Sequence, residues 1–220
     1  MQLDPQRSLA ELAVSIPAAS RVFKRFRLDY CCSGQRSLTE ACRERDLDPG
    51  AVLAELATEL DVTPPPLANA SCAALIDHIL ERYHEPLRRE LPELIAMARR
   101  VETRHRLTPG CPLGLADFLT SMHSEVLSHL EKEERVLFPM IRAHAGRLTA
   151  GPIAVMQREH DDHGASLEGI RELTADLTVP EGACTTWRAL QLRLIAFESD
   201  LMDHIHLENN LLFPNALRAA

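Results

Sequence analysis

Six residues recur in a pattern that suits metal chemistry. His129 and Glu133 form a His-x-x-x-Glu segment followed by Leu137-Phe138-Pro139, and His204 and Glu208 form a second one followed by Leu212-Phe213-Pro214. A lone histidine precedes each pair, His84 in the first half and His160 in the second. On a helix, positions i and i+4 share one face about 6 Å apart along the axis, so each histidine and its glutamate can aim at one centre. If the two halves are related by a pseudo-twofold axis, two histidines serve each of two ions, and Glu133 and Glu208 meet near the axis to bridge them. Imidazole with carboxylate and no cysteine is a donor set for non-haem di-iron in a helical bundle rather than for structural zinc, with manganese the second choice. A single histidine on an apolar helix face is ordinarily a hydrogen-bonded core or surface residue. Six positions matched by an internal repeat are not explained that way, because burying such groups unpaired would be costly.

The other polar residues near the repeat are less constrained. His206 points nearly opposite His204, and His78 and His123 are displaced by about 120° from His84 and His129, so these three are expected at the surface or outside the ligand set. His105 shares the face of His84 but lies roughly 30 Å along the helix. His163, within a turn of His160, is the best further candidate. Glu125 precedes His129 by four residues and Asp200 precedes His204 by four. These acids could accept the second imidazole N–H, line a polar path to the site, or simply be solvated.

Cys31 and Cys32 are adjacent, and a disulfide between neighbours forces a strained ring, so both are expected as thiols. Lys24, Arg25 and Arg27 lie close in sequence and could favour the thiolate. The pair could hold iron transiently, exchange with a partner's disulfide, pass iron to an apo-cluster protein, or serve as a buried structural pair.

Four amphipathic segments at about 74–105, 114–144, 152–177 and 184–217 carry the six ligands, separated by the short breaks TPGCPLG, AGRLTAG and TVPEGA. Short connections predict an up-down-up-down four-helix bundle over residues 74–220, with a core that side chains can line from all sides. Residues 61–73 contain three consecutive prolines and are expected as an extended linker. Upstream, residues 1–60 predict a small helical domain: SLAELAVSIPAASRVFKRF, SLTEACRERD and DPGAVLAELATEL each begin with Ser or Asp, and the Cys-Cys-Ser-Gly turn falls between the first two. The fold class is therefore all-α.

Bulk properties agree. The chain has 220 residues, 45% hydrophobic and only 4% aromatic, which suits a helical protein over a sandwich. A net charge of -8 argues against a nucleic-acid surface. The N-terminus lacks a basic and apolar leader, and no stretch approaches a membrane span, so a cytoplasmic protein without membrane contact is expected. Six scattered cysteines in such a compartment argue against a disulfide scaffold, and ten histidines favour metal binding.

Leu28-Asp29-Tyr30-Cys31-Cys32, the two HxxxE-plus-LFP segments, and His84 and His160 in their places together resemble the Repair of Iron Centres family of YtfE/ScdA type. That resemblance covers the whole chain and implies a small Cys-Cys domain joined to a hemerythrin-like bundle. It further implies two non-haem irons bridged by Glu133, Glu208 and an oxygen species, defence against nitrosative or oxidative stress, and restoration of damaged iron-sulfur clusters. Damaged or apo iron-sulfur proteins would be the partners, and nitric oxide or oxygen the small ligands; monomer and homodimer both remain open. Two positions depart from the pattern: Ser33 stands where members commonly have glycine after the cysteine pair, and Gly164 stands where oxygen-carrying hemerythrins place a further histidine. The latter suggests a vacated coordination position and a reactive or labile centre rather than a carrier. Alternatives are a nitric oxide reductase forming nitrous oxide, which uses the bundle alone, and a non-catalytic oxygen or iron sensor.

Overall fold

A computed structural model describes residues 3–16, 18–60, 67 and 70–218. Helices α1 (Leu9–Ser15), α2 (Ala19–Arg25), α3 (Leu38–Glu44) and α4 (Pro49–Thr58) form the N-terminal part. Ser8 and Ser37 each close a capping box, with Glu11 and Glu40 respectively, and Asp48 accepts from Gly50 N. The first predicted helix is in fact two. Ile16 is extended at φ -118° and ψ 113°, as the residue before a proline prefers; Pro17 itself lies outside the described residues. Among the described residues the β pairing is an isolated antiparallel bridge between Ser8 and Ser37. Leu9, Leu12, Ile16, Phe23, Tyr30, Leu38, Val52 and Leu56 pack into one apolar cluster around these helices.

Of the expected linker, residues 61–66, 68 and 69 lie outside the described residues. Ser71 then caps α5 by accepting from Ala74 N. Helix α5 runs through Cys72–Ile79, a π-helical turn Leu80–His84, and Glu85–His105. Helix α6 runs through Leu115–Lys132, a π turn Glu133–Leu137, and Phe138–Arg142. Helix α7 is Ala150–Leu173, and α8 runs through Thr185–Leu207, a π turn Glu208–Leu212, and Phe213–Arg218. Each helix packs on the next, and α8 closes back onto α5, which is the four-helix bundle the short connections require. Helix α7 stops four residues before the predicted end, where Ala175, Asp176 and Leu177 all take positive φ; Arg171 holds that turn by donating to Asp176 Oδ1 at 2.6 Å.

Every π turn ends two residues before a proline: Pro86, Pro139 and Pro214. Proline has no N–H, and its ring clashes with the carbonyl four residues back. Those carbonyls belong to Arg82, Arg135 and Asn210, all inside the widened turns, so the π geometry relieves the clash while keeping the helix continuous. His84, Glu133 and Glu208 sit at the edges of these turns, and His160, on a helix with no such proline, sits in regular α-helix.

The bundle core is divided. One apolar cluster runs from Leu87, Leu91 and Leu94 to Trp187, Leu190 and Leu194, and the other contains Leu75, Ile79, Leu137, Phe138, Ile153, Leu212 and Phe213. A slab of buried polar side chains, His84, His129, Glu133, His160, His204 and Glu208, lies between them. Trp187 stands about 25 Å along α8 from His204 at 1.5 Å per residue. Trp187→Ala is therefore expected to destabilise the bundle by about 3–5 kcal/mol while leaving metal uptake intact; urea unfolding with metal analysis on the same sample checks this, and loss of uptake in the folded variant would contradict the separation.

Candidate metal centre

The four helices bring together all six side chains that the repeat singled out. His84 Nε2 and His204 Nε2 lie 3.1 Å apart, and His129 Nε2 and His160 Nε2 lie 3.2 Å apart. Glu133 Oε2 stands 3.4 Å from both His84 Nε2 and His129 Nε2. Glu208 straddles the other side, with Oε1 3.1 Å from His204 Nε2 and Oε2 3.1 Å from His160 Nε2. Two overlapping donor sets result, His84, Glu133, His204, Glu208 and His129, Glu133, His160, Glu208. Each set takes one histidine from each half of the repeat and shares both glutamates.

Hydrogen bonds outside the slab fix which imidazole nitrogens face inward. His84 Nδ1–H donates to Glu134 Oε1 at 2.8 Å, and Arg88 holds the same carboxylate oxygen at 2.9 Å. His129 Nδ1–H donates to Glu159 Oε2 at 2.9 Å, and Lys132 holds the other oxygen of Glu159. His160 Nδ1–H donates to Asn209 Oδ1 at 2.9 Å. These three tautomers leave the Nε2 lone pairs aimed into the slab. His204 Nδ1 is buried without a partner, and Tyr83 stacks on that ring with centroids 5.4 Å apart.

Such an interior fits cations and little else. All four carboxylate oxygens of Glu133 and Glu208 are buried without a hydrogen bond of adequate geometry. Opposed lone pairs on paired imidazoles and unpartnered carboxylate oxygens repel unless something positive sits among them. Without a cation the pair of glutamates shares charge unequally. Burial, and then the Glu208 carboxylate, pushes Glu133 well above the usual carboxylate range. Burial also acts to raise Glu208, but His204, and then His160, hold it well below that range. Burial, followed by the neighbouring histidine, lowers His84 to about 4 and lowers His129 further.

The outer acceptors were not those expected from spacing. Glu125 interacts with Ser121 Oγ at 3.2 Å and Asp200 pairs with Arg82 at 2.7 Å, so neither touches an imidazole; four residues back along its own helix, each lies a full turn from the ligand's Nδ1. Glu134, Glu159 and Asn209 take that place, each the chain neighbour of a ligand. The repeat was the signal that could have found them: Glu134 and Asn209 both follow the glutamate of HxxxE, and Glu159 and Tyr83 both precede the lone histidine. Phe138 and Phe213 of the LFP segments stack on His84 and His160. Glu125 does share a cleft of about 590 Å³ with Ser128, Glu159 and His163. His163 is buried beside His129, ring centroids 4.8 Å apart, with Nδ1 unpartnered and outside both donor sets. His206 is buried rather than exposed, packed edge-on against Tyr30 and accepting from Asn210 Nδ2 at 2.8 Å.

The cysteine pair docks directly on this slab. Asp29 Oδ1 accepts from Cys31 N and Cys32 N at 3.2 and 2.9 Å, and Oδ2 accepts from Ser33 N at 3.0 Å, which sets the turn. Glycine is needed at 34 rather than 33, because a Cβ on Gly34 would stand 2.5 Å from Tyr30 O. The two sulfurs are 3.6 Å apart and unbonded. Cys32 Sγ donates to His160 O at 3.2 Å, and it fills the space beside Gly164, 3.3 Å from where a Cβ would stand. Gly164 is thus the seat of Cys32 rather than a vacated coordination position. Lys24, Arg25 and Arg27 are engaged by Asp203, Glu55 and Asp176 and do not reach the sulfurs. The Cys32 thiol beside Cys31, and then burial, instead push the Cys31 thiol well up. Tyr30 Oη also donates to Asp203 Oδ1 at 2.8 Å, and Asn210 Nδ2 to Tyr30 O at 3.1 Å.

A closed ring of four helices around two interlocked histidine and glutamate sets defines a cation-binding bundle of the hemerythrin class. The chain belongs to that family: the model described as Hemerythrin HHE cation binding domain matches residues 75–216. The ScdA_N model, a Domain of Unknown function (DUF542), matches residues 5–60. The chain is 49% identical over 215 residues to the Iron-sulfur cluster repair protein YtfE of Dickeya chrysanthemi (strain Ech1591), covering 96% of this chain and 97% of that one. It is 50% identical over 216 residues to the protein of that name from Musicola paradisiaca (strain Ech703), covering 97% of each. Against the one from Escherichia coli O8 (strain IAI1) it is 46% identical over 215 residues, covering 95% and 96%. No helix among the described residues is long and apolar enough to cross a membrane.

Burial gives the metal-free protein a defined pH response. His84 and His206 are lowered to about 4 and His163 to about 3, against about 6.5 in an unfolded chain. The unfolded state therefore binds more protons in that window, and stability is lost as pH falls from about 6.5 towards 4. Lowered Glu208 adds to the loss, and raised Glu133 opposes it with a single proton. Urea midpoints of the metal-free protein should fall steadily across this window; a flat or rising profile would contradict the assignment.

Proposed function

We propose that this chain restores iron-sulfur clusters damaged by nitrosative or oxidative stress, using iron held in the bundle and the thiols docked on it. In this reading the chain divides into residues 1–60, a linker 61–73 whose last two residues already belong to α5, and a bundle 74–220. His84 and His204 would hold one non-haem iron ion and His129 and His160 the other, with Glu133 and Glu208 offering a carboxylate to each. The unpartnered carboxylate oxygens and inward-facing Nε2 atoms support that assignment. When bound, non-haem iron supplies an exchangeable, redox-active centre for small ligands such as nitric oxide or oxygen. Glu134 and Glu159 keep two histidines in the ligating tautomer, and Tyr83, Phe138 and Phe213 pack over the rings and restrict water.

The observation that carries the reading is the contact of Cys32 Sγ with His160 O. The thiol pair thus touches the backbone of a proposed ligand, and Asp29, Cys31 and Cys32 are a set of donors that can themselves approach one ion. Damaged or apo iron-sulfur proteins are the partners, and six free cysteines suit the reducing cytoplasm. A nitric oxide reductase would need the bundle alone and leaves that docking without a role.

Two experiments test this. Glu133→Ala with Glu208→Ala should reduce iron after anaerobic reconstitution below about 0.5 per chain, and normal loading would remove the bridged site. Iron-loaded protein incubated with an apo iron-sulfur enzyme should restore its activity, and Cys31→Ala with Cys32→Ala should abolish the recovery. Multiple turnovers of nitrous oxide from added nitric oxide, undiminished in that double variant and without cluster recovery, would overturn repair in favour of the reductase.

A further inference from the structure

Asn209 touches both a bundle ligand and the cysteine turn. Its Oδ1 accepts from His160 Nδ1–H at 2.9 Å, and its Nδ2 donates to Cys31 O at 2.9 Å. Its counterpart in the other half of the repeat, Glu134, has no such second contact; it holds His84 and is itself held by Arg88. Asn210, the next residue, holds Tyr30 O and His206 but not His160. A pocket of about 130 Å³ lined by Cys31, Cys32, Gln157, Asp161 and Asn209 opens this junction to small reagents.

We propose that Asn209 is a positioning residue that couples occupancy of the bundle site to the conformation and reactivity of the Cys31–Cys32 turn. The proposal rests on the metal-centre assignment above and adds a direction of communication to it. An ion on His160 Nε2 obliges the proton to sit on Nδ1. Asn209 must then present Oδ1 to the ring, which leaves Nδ2 facing the Cys31 carbonyl, and the turn is held. Without the ion, His160 is free to carry its proton on Nε2, where His129 Nε2 stands at 3.2 Å to accept it. A bare Nδ1 then repels Oδ1, and the amide satisfies it only by turning over, which sets Oδ1 against the Cys31 carbonyl and releases the turn. An amide has two orientations and no useful intermediate, so one rotation carries the signal. Coupling of this kind is reciprocal at equilibrium: whatever factor the ion exerts on the balance between held and released turn, holding the turn exerts on ion affinity.

The test uses the full chain under anaerobic conditions, with and without iron(II), and follows carbamidomethylation of Cys32 by iodoacetamide with peptide mass spectrometry. In the wild-type protein, iron loading should slow the reaction roughly fivefold or more. Asn209→Asp accepts from His160 but cannot donate to Cys31 O. It should retain iron and unfold at a temperature close to wild type, while iron changes its Cys32 rate by less than about twofold. Asn210→Ala, one residue along and without contact to His160, should keep the full iron dependence, which a merely structural role for this turn would not allow. Equal iron dependence in Asn209→Asp and wild type would overturn the proposal, including the case in which an ion bound directly to the thiols protects them. Failure to load iron in the wild-type chain would remove the metal-centre assignment and the coupling together. Full loading with one Cys32 rate in both states would remove the coupling alone.

Discussion

Two carboxylates and four imidazoles are buried between two apolar clusters, and the described residues supply no hydrogen-bond donor of adequate geometry to the carboxylate oxygens. Desolvating such groups without compensation costs several kcal/mol for each charge, so the slab favours a cation among them and takes up a proton at Glu133 where none is bound. Much of the rest follows from that constraint. Glu134 and Glu159 lie outside the slab, paired with Arg88 and Lys132, and they turn His84 and His129 so that the Nε2 lone pairs face inward. The widened turns before Pro86, Pro139 and Pro214 keep the helices continuous through the level at which the ligands emerge.

The internal repeat is more complete than its ligands. It extends to the stacking phenylalanines and to the residues beside each ligand, and its broken correspondences are informative. Where one half has Glu134, the other has Asn209; where one half has Glu159, the other has Tyr83. Glutamate can only accept, so it closes the site towards Arg88 and Lys132. Asparagine accepts and donates, and the half that carries it is the half on which the N-terminal helices and the cysteine turn dock. Gly164 belongs to the same arrangement, since the absent side chain leaves room for Cys32.

Much of this was legible in the amino-acid sequence, and the limits have physical causes. HxxxE twice, with a lone histidine upstream each time, identified the six side chains that converge, because i and i+4 spacing is enough to place two donors on one helix face. Short connections were enough for the bundle. Helix ends at Leu173 and the break at Ile16 were missed because local turn chemistry overrode an apolar periodicity that ran on. The imidazole acceptors were sought one turn back on the same helix, at Glu125 and Asp200, whereas Nδ1 points outward to a neighbouring helix and meets Glu134, Glu159 or Asn209. Contacts between segments far apart in sequence, such as Cys32 with His160 and Tyr30 with Asp203, leave no periodic trace. The basic residues near the cysteines misled for the same reason: Lys24, Arg25 and Arg27 find their carboxylates elsewhere in the fold.

On the function proposed above, the polar slab would hold two ions side by side, each between one histidine of either half. Anomalous diffraction at the iron edge from crystals of the iron-loaded protein measures this directly. Two peaks are expected, one against His84 and His204 and one against His129 and His160, with Glu133 and Glu208 reaching both. A single peak in the slab, or iron found only at Asp29, Cys31 and Cys32, would contradict the account.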